Sequence, residues 1–383
     1  MTYNFLRERR ASSDNELFLY RRIGKLHWPL IFVVTALSCI GFAMLYSAAG
    51  GNMQPWAMKQ VARFVIAFPI MLLIAVTDIR IWFRYSYAFY FFGLAFVMMV
   101  AVAGFMGKGA VRWINLGPVN IQPSEMMKIF LILALARYFH SIHSNDSDHL
   151  KQLIFPALLI FLPFVLILKE PNLGTATVLL LTGVGIFFAT GVGWKKFAVA
   201  GLGVAAIIPL GWHHLHGYQR QRIITFLNPN EDPLGAGYNI IQSKIAIGSG
   251  GFWGKGFLQG SQGQLNFLPE KQTDFIFTMV AEEFGFFGGL IVISLYALLM
   301  FYGVYIALQC KNHFARMIAM GASILLFVHV FINMAMVMGM IPVVGVPLPL
   351  LSYGGSVMVM TLITYGFVLN ADINRDVGLG KTY

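Results

Sequence analysis

Ten runs of mostly apolar residues, each about as long as a bilayer is thick, constrain this 383-residue chain more than any other feature. A helix needs about 17 to 25 apolar residues to cross the hydrocarbon core. Because backbone groups in lipid must bond to one another, such runs predict helices. The predicted spans are 28–48, 57–77, 85–106, 125–140, 153–168, 173–191, 196–212, 284–308, 315–338 and 353–370. The chain is therefore predicted to be an all-α integral membrane protein, with one polytopic domain over 1–383.

The composition favours the same class. Hydrophobic residues make up 58% of the chain and charged residues 11%, whereas a soluble protein carries about a quarter charged residues. The net charge of +11 indicates basic cytoplasmic loops in a membrane protein, and no nucleic-acid partner is predicted. The two cysteines fall in or beside different spans, so neither a disulfide nor a cysteine metal site is predicted.

The distribution of basic residues predicts the orientation. With ten spans, the loops on the N-terminal side carry pairs such as Arg80/Arg84 and Lys195/Lys196, whereas the last loop on the other side, 340–350, has no basic residue. Basic short loops stay in the cytoplasm. Both termini are therefore predicted to be cytoplasmic. The polar N-terminal segment has no short cleavable apolar region, so the first span is predicted to be an uncleaved anchor.

One long connection, 213–283, separates the seventh and eighth spans on the outer side. Loops of this length are usually functional or disordered. The Trp, Phe and Ile residues in this one predict an ordered periplasmic loop that packs on the bundle. Its glycine-rich run, 248–264, lacks the Ser or Thr that follows the lysine of a phosphate-binding P-loop, and we expect a mobile loop there.

The end of this connection, FLPEKQTDFIFTMVAEEFG (267–285), places charged residues around an apolar segment too short to span a membrane. We expect that segment to lie in the outer interface or to dip partway into the membrane, ahead of the eighth span. Charged groups at a membrane edge are costly and are functional candidates. Asp274 is the leading candidate, and capping of the next helix by Asp274 or Thr273 is the alternative. Glu282 and Glu283 are interpreted as the interfacial end of the segment.

A second polar cluster, GKGAVRWINLGPVNIQPSEMMKIF, occupies 107–130. The sequence Pro-Ser-Glu predicts a helix start with Ser124 as the cap. Glu125 and Lys128 share one face of that helix, where an ordinary ion pair is the alternative to a binding role. The free N–H groups of the helix start favour an anion such as phosphate.

The loop before that helix contributes three further candidates. Lys108 and Arg112 are cations next to the predicted anion site. Trp113 offers an aromatic face that either stacks on a sugar or anchors at the interface. Lys108 and Arg112 are therefore candidates for binding an anion, and the role of Trp113 stays open between these two alternatives.

Three remaining features concern single spans. KEPNLGT at 169–175 predicts a helix cap with a close glycine contact, and LSYGGS at 351–356 predicts close helix packing through its glycines. Arg63 lies inside the apolar run of the second span. Such a charge is typical of a transport path, and it keeps a transporter open as an alternative.

These motifs resemble those of the RodA/FtsW/SpoVE family of bacterial shape, division and sporulation proteins, over nearly the whole chain. The stretch VVGVPLPLLSYGGS is more similar to the members that act in elongation. The family's Gln-Pro-Asp-x-Gly-Thr is here Glu-Pro-Asn-Leu-Gly-Thr, at 170–175. The stretches that carry the resemblance are QPSE–K at 122–128, YQRQR at 218–222, DPLGAGYNIIQSKIAIGSGG at 232–251, LPEKQTDFIF at 268–277 and the pattern from Asn333 to Ser356.

The resemblance implies a peptidoglycan glycosyltransferase that polymerises lipid II at the outer face of the bacterial inner membrane. It implies a class B penicillin-binding protein as the crosslinking partner, together with other membrane proteins of the elongation complex. The essential acid of the family falls on Asp274, which is expected to be the general base.

The expected substrate-binding residues follow from the same resemblance and from the charges around them. A divalent cation such as Mg²⁺, held by Glu125 against the diphosphate, is left open. A lipid II flippase and a non-catalytic scaffold for the penicillin-binding protein are the alternative functions. The expected substrate-binding residues are Lys108, Arg112, Trp113, Glu125, Lys128 and Lys271.

Overall fold

The structure is a computed structural model, and it describes most of the chain. Apart from turns and a two-stranded antiparallel hairpin, the described chain is helical. The described residues are 22–106, 114–115, 120–142, 150–170, 172–211, 217–228, 236–265, 267–268 and 270–380.

All ten predicted spans are helices, which confirms the all-α membrane fold apart from the small hairpin. The elements are α1 (Trp28–Ala48), α2 (Ala57–Val76), α3 (Ile79–Met106), β1 (Ile114–Asn115), β2 (Asn120–Ile121), α4 (Pro123–Ser141), α5 (Leu150–Lys169), α6 (Leu173–Ala189), α7 (Trp194–Gly211), α8 (Gly217–Leu227), α9 (Ala236–Ser249), α10 (Ser261–Gln264), α11 (Ile276–Gln309), α12 (His313–Val337) and α13 (Gly355–Ile373). In the hairpin, Ile114 pairs with Ile121 and Asn115 with Asn120.

Seven helices within the described residues are long and apolar enough to cross a membrane: α1, α2, α3, α5, α11, α12 and α13. Helix α6 is a shorter apolar helix. Helix α4 carries Glu125, Lys128 and Arg137. These charges make α4 more polar than a lipid-facing helix, and its side chains are mostly buried in the protein.

Helix α12 is the centre of the bundle. It contacts α4, α6, α11 and α13 and contributes apolar side chains to both hydrophobic clusters of the core. Helix α13 lies along α2, and a side-chain carbon at Gly366 would lie 2.8 Å from the Met71 carbonyl oxygen. Such close backbone approach is typical of membrane helices that pack through small residues.

Basic residues gather at one end of the bundle, which we call the basic end. Arg22 donates to the Val76 carbonyl at 2.6 Å and to Asn374 at 3.4 Å. The backbone N–H of Lys311 donates to the Arg375 carbonyl at 3.0 Å. The first described residues and the C-terminal residues therefore lie at the same end, as an even number of spans predicts. The opposite end carries Asp274 and is called the Asp274 end.

Helix α11 is kinked at Gly285, where φ is 63° and ψ is −156°. Residues Ile276 to Glu283 precede the kink and are all buried in the protein. Loop and helix side chains therefore cover this apolar segment, and its expected position in the outer interface stays a prediction. Its separation from the eighth span is confirmed, because a left-handed glycine divides the two segments.

Candidate active site

The loop between α12 and α13 holds the backbone just before Asp274. The hydroxyl of Ser352 donates to the Thr273 carbonyl at 2.6 Å, and the backbone N–H of Tyr353 donates to the Gln272 carbonyl at 2.8 Å. Ser352 is also the acceptor for the backbone N–H of Leu348 at 2.8 Å. The SYGGS motif thus fixes the segment that carries the candidate base, in addition to opening α13.

Asn333 anchors Asp274 itself to the central helix. Its side-chain amide donates to the Asp274 carbonyl at 2.8 Å and to the Val346 carbonyl at 2.7 Å. Asn333 is fully buried. Two buried hydrogen bonds from one side chain therefore hold the candidate base and the loop after α12 in one arrangement.

The Asp274 side chain does not cap α11. That helix begins at Ile276, Phe275 occupies the cap position, and no side chain makes a capping hydrogen bond. The capping alternative is therefore wrong. The Asp274 side chain is partly exposed. A side-chain carbon at Gly345, where φ is 74°, would lie 3.4 Å from its Oδ2 atom, so glycine leaves the carboxylate room.

The surroundings of Asp274 raise its pKa to about 6, mainly because burial disfavours the charged form. Repulsion from Glu270 raises the pKa further, and attraction by Arg222 lowers it. A carboxyl group with a pKa near 6 is largely ionised at neutral pH and still accepts a proton readily. These are the properties of a general base that works near neutral pH.

Glu125 and Lys128 form a buried ion pair on α4, with 2.8 Å between the Lys128 ammonium and the Glu125 carboxylate. The same ammonium lies 2.9 Å from Nε2 of His329 on α12. His329 and Asn333 are four residues apart, so their Cα atoms are separated by about 6 Å along the helix axis. The pair therefore lies about one turn of α12 from the Asp274 anchor. A role in binding substrate stays a prediction.

Arg63 faces the SYGGS loop. Its guanidinium lies 4.7 Å from the centre of the Tyr353 ring and donates to the Tyr353 hydroxyl at 3.3 Å. Neighbouring Gln60 donates to the Ser352 carbonyl at 2.9 Å. These contacts give the charged side chain of Arg63 a structural role, because they support the loop that holds Asp274. A transport path is not needed to explain this charge.

The other predicted binding residues have different outcomes. Lys108, Arg112 and Trp113 lie outside the described residues. Lys271 is buried and its ammonium donates to the Gly263 carbonyl. Burial lowers the pKa of Lys271. The contact joins two parts of the long connection between the seventh and eighth spans, and a role of Lys271 in substrate binding stays a prediction.

Glu282 and Glu283 organise the glycine-rich run. Glu282 accepts from Lys255 Nζ at 2.7 Å and from the Gln262 N–H at 3.0 Å, and Glu283 accepts from the Ser47 hydroxyl. Both glutamates are fully buried. Their hydrogen bonds give the glutamates a structural role, and their expected position at the interfacial end of the segment stays a prediction.

The glycine-rich run is ordered by the same region of α11. The N–H groups of Lys255 and Gly256 donate to the carbonyls of Glu282 and Glu283 at 3.0 and 2.9 Å. A side-chain carbon at Gly254 would lie 2.1 Å from the Glu283 carbonyl oxygen. The glycines therefore allow the run to pack against the kink, and the expected mobile loop is replaced by a packed one.

Two predicted helix starts differ in outcome. Helix α4 begins at Pro123 with extended Gln122 as its cap residue, so the predicted Ser124 cap is wrong: Ser124 already lies in the first turn. Proline is favoured at the first helical position because its φ is fixed near the helical value. At α6 the prediction is confirmed, since Asn172 accepts from the Thr175 N–H and Gly174 closely approaches the Val344 carbonyl.

No group of three or more His, Cys, Asp or Glu side chains suitable for a metal ion occurs in the described part of the chain. Glu125 is already paired with the Lys128 ammonium. A divalent cation stays a prediction, and no step below depends on one.

Sequence reasoning missed the residues that act through other residues. His329 and Gln60 were not singled out, and Asn333 and Ser352 were noted only as parts of a motif. Each is a polar residue that is buried in the structure. Their occurrence within or beside long apolar helices is the signal that could have identified them, because an unpaired polar group is costly there.

The fold and this end of the bundle define a polytopic membrane protein with a partly exposed, anchored aspartate. A family model for FtsW, RodA and SpoVE, described as "Cell cycle protein", matches residues 27–376. The chain therefore belongs to the RodA/FtsW/SpoVE family.

Curated relatives are similar over most of their length. The chain is 42% identical over 349 residues to the "Peptidoglycan glycosyltransferase MrdB" of Escherichia coli strain K12, which covers 90% of this chain and 93% of that one. It is 35% identical over 353 residues to the "Stage V sporulation protein E" of Bacillus subtilis, which covers 89% of this chain and 95% of that one.

Solved structures have the same fold. A chain from the study "Structural coordination of polymerization and crosslinking by a peptidoglycan synthase complex" matches with a TM-score of 0.80 and 30% identity, covering 92% of this chain and 99% of that one. The crystal structure of the Thermus thermophilus rod shape determining protein RodA matches with a TM-score of 0.69 and 28% identity, covering 92% and 98%.

Proposed function

We propose that this chain is a peptidoglycan glycosyltransferase that polymerises lipid II during cell-wall elongation. The observation that carries the proposal is Asp274, a partly exposed carboxylate with a raised pKa, held at one end of a membrane bundle by Asn333. The relatives named as peptidoglycan glycosyltransferases support the reaction class. The nature of lipid II, a sugar on a lipid diphosphate, suits a base at the membrane surface.

In the proposed reaction, Asp274 accepts the proton of the acceptor sugar hydroxyl as that oxygen attacks the anomeric carbon of the donor. The bond between the anomeric carbon and the lipid diphosphate breaks, and the diphosphate leaves with its electron pair. Positive groups near the leaving diphosphate stabilise its developing charge. Lys108 and Arg112 are proposed for this role, and Trp113 is proposed to contact a sugar.

The orientation of the chain follows from the substrate. The Asp274 end faces the periplasm, and the basic end, with both termini, faces the cytoplasm. A class B penicillin-binding protein is the proposed crosslinking partner. The matched chain from a peptidoglycan synthase complex supports an assembly that combines polymerisation and crosslinking.

The pH dependence of polymerisation tests the assigned base. The rate of purified chain on labelled lipid II is expected to rise with pH, with a midpoint near the Asp274 pKa of about 6, because only the ionised form accepts the proton. Glu270→Gln removes a repulsion and should move the midpoint to lower pH. Arg222→Gln removes an attraction and should move it to higher pH. Midpoints that stay in place in both variants would exclude Asp274 as the titrating base.

The anchor gives a second test. Asn333→Ala removes both hydrogen bonds to the Asp274 and Val346 carbonyls, and kcat is expected to fall by about 10²-fold with little change in KM, because the base is misplaced. Asn370→Ala is the matched control. Asn370 donates to the carbonyls of Ile74 and Thr77 at the basic end, at 2.9 and 2.7 Å.

Both variants should lose similar stability, about 1–3 kcal/mol for buried carbonyls left without a partner. Their melting temperatures in detergent measure that cost. Only the Asn333 variant should lose turnover. Equal losses of kcat in the two variants would show that Asn333 has only a structural role.

A further inference from the structure

An apolar groove lies beside the candidate active site, on the face of α11 that meets α9. It encloses about 450 Å³, and its walls include Ile247 and Gly248 of α9 and Phe277, Ala281 and Leu290 of α11. Phe277 is three residues after Asp274, so the groove begins close to the candidate base along the chain. Pockets of this size and lining are typical of sites for apolar ligands.

The groove runs along the helix into the membrane-spanning segment. Lining residues on α11 recur from Phe277 through Gly285 to Ile293. The wall therefore includes residues before the kink at Gly285 and about two helical turns after it. The small residues Ala281, Gly285 and Gly289 form much of this wall, which leaves room for a chain-like ligand rather than a compact one.

A lysine that is not part of the lining lies near one end of the groove. Lys244 precedes Ile247 and Gly248 by one turn on α9, and its side chain is exposed. A side-chain carbon at Gly339 would lie 2.8 Å from the Lys244 ammonium, and the adjacent residue, Met338, lines the groove. An apolar channel with an ammonium at its end is complementary to a long hydrocarbon chain that ends in a phosphate.

A second groove provides a contrast. It lies between α5 and α6, encloses about 440 Å³ and is lined by apolar side chains such as Ala157 and Val184. Its lining contains no charged residue. The lining of the α9–α11 groove is also uncharged, but that groove lies next to Lys244 of α9 and begins three residues after Asp274 in the sequence.

We propose that the groove between α9 and α11 binds the isoprenoid chain of the lipid-linked substrate, with Lys244 at its phosphate end. The inference rests on the proposed function, because the chain identity follows from a polyprenyl-linked substrate. It places that chain along α11, the helix that begins two residues after Asp274. The sugar is then presented at the Asp274 end while its anchor stays in the membrane.

The test is photocrosslinking of the purified full chain with a polyprenyl phosphate that carries a diazirine in its chain. Crosslinks are expected in peptides of α9 and α11, and unlabelled polyprenyl phosphate should compete while phosphatidylglycerol should not. Gly248→Phe should lower crosslinking about tenfold, equivalent to about 1.4 kcal/mol of binding free energy. A side-chain carbon at Gly248 has no other atom within 4 Å, so the ring enters the groove without displacing the protein.

Ala157→Phe fills the other groove and is the matched control, with no expected change in crosslinking. Lys244→Gln should weaken labelling by the phosphate probe and leave labelling by the corresponding polyprenol probe unchanged. Crosslinks that map to α5 and α6, an unaffected Gly248→Phe protein, or equal competition by phosphatidylglycerol would each overturn the inference.

The experiment also separates this inference from the proposed function. Polymerisation of lipid II by a chain that fails to crosslink in this groove would overturn the groove assignment alone. Specific crosslinking by a folded chain that forms no glycan would overturn the proposed reaction alone, since the lipid-phosphate site would remain.

Discussion

Replacing Asp274 by Asn is expected to lower the rate of lipid II polymerisation by about 10²–10⁴-fold, the range that a positioned general base contributes. The amide has nearly the shape of the carboxylate and cannot accept the proton. The anchor contact of Asn333 is made to the backbone carbonyl of Asp274, so the substitution leaves it in place. The variant should therefore fold and insert normally.

Polymer formation from labelled lipid II, followed by gel electrophoresis, measures the loss. The melting temperature in detergent shows that the fold is intact. Glu270→Gln is the matched control, because it also neutralises an acid in this segment and should retain turnover. Wild-type turnover in the Asp274→Asn protein would show that Asp274 is not the general base.

Lys128→Met should have the largest effect on stability, because it leaves the carboxylate of Glu125 buried without its partner. Removing one member of a buried ion pair costs about 3–5 kcal/mol. Both side chains are almost completely buried, and the Lys128 ammonium also contacts His329. We therefore expect a clear fall in the melting temperature of the detergent-solubilised protein.

The double variant Glu125→Gln/Lys128→Met separates charge burial from substrate binding. It removes both charges, so most of the lost stability should return. If the Lys128 charge serves only the fold, lipid II turnover should return with it. A Lys128→Met protein as stable as the wild type but unable to bind lipid II would contradict the structural account of this pair and favour the predicted contact with the diphosphate.

Long apolar runs made the helices predictable. Each predicted span is one helix of the structure, because a bilayer leaves the backbone no alternative to internal hydrogen bonding. The start of α6 was also predictable, since an asparagine cap and a close glycine act within a few residues. Asp274 was singled out because a charged carboxylate beside apolar residues is costly. The same cost raises the pKa of Asp274, since burial disfavours its charged form.

Contacts between distant parts of the chain were not predictable in this way. Asn333 reaches Asp274 across 59 residues, and Gln60 reaches Ser352 across 292. No local pattern encodes such pairs. The same limit explains why the structural role of Glu282 and Glu283 was not predicted: their partners, such as Lys255 and Ser47, come from other segments.

The most direct test is reconstitution of the purified chain in liposomes with labelled lipid II, alone and with a class B penicillin-binding protein of the same organism. Glycan strands and the passage of lipid II across the bilayer are measured in the same vesicles. The account predicts glycan strands from the wild type and none from Asp274→Asn. A folded wild-type chain that moves lipid II across the bilayer, or remains inert, without forming strands under either condition would contradict it.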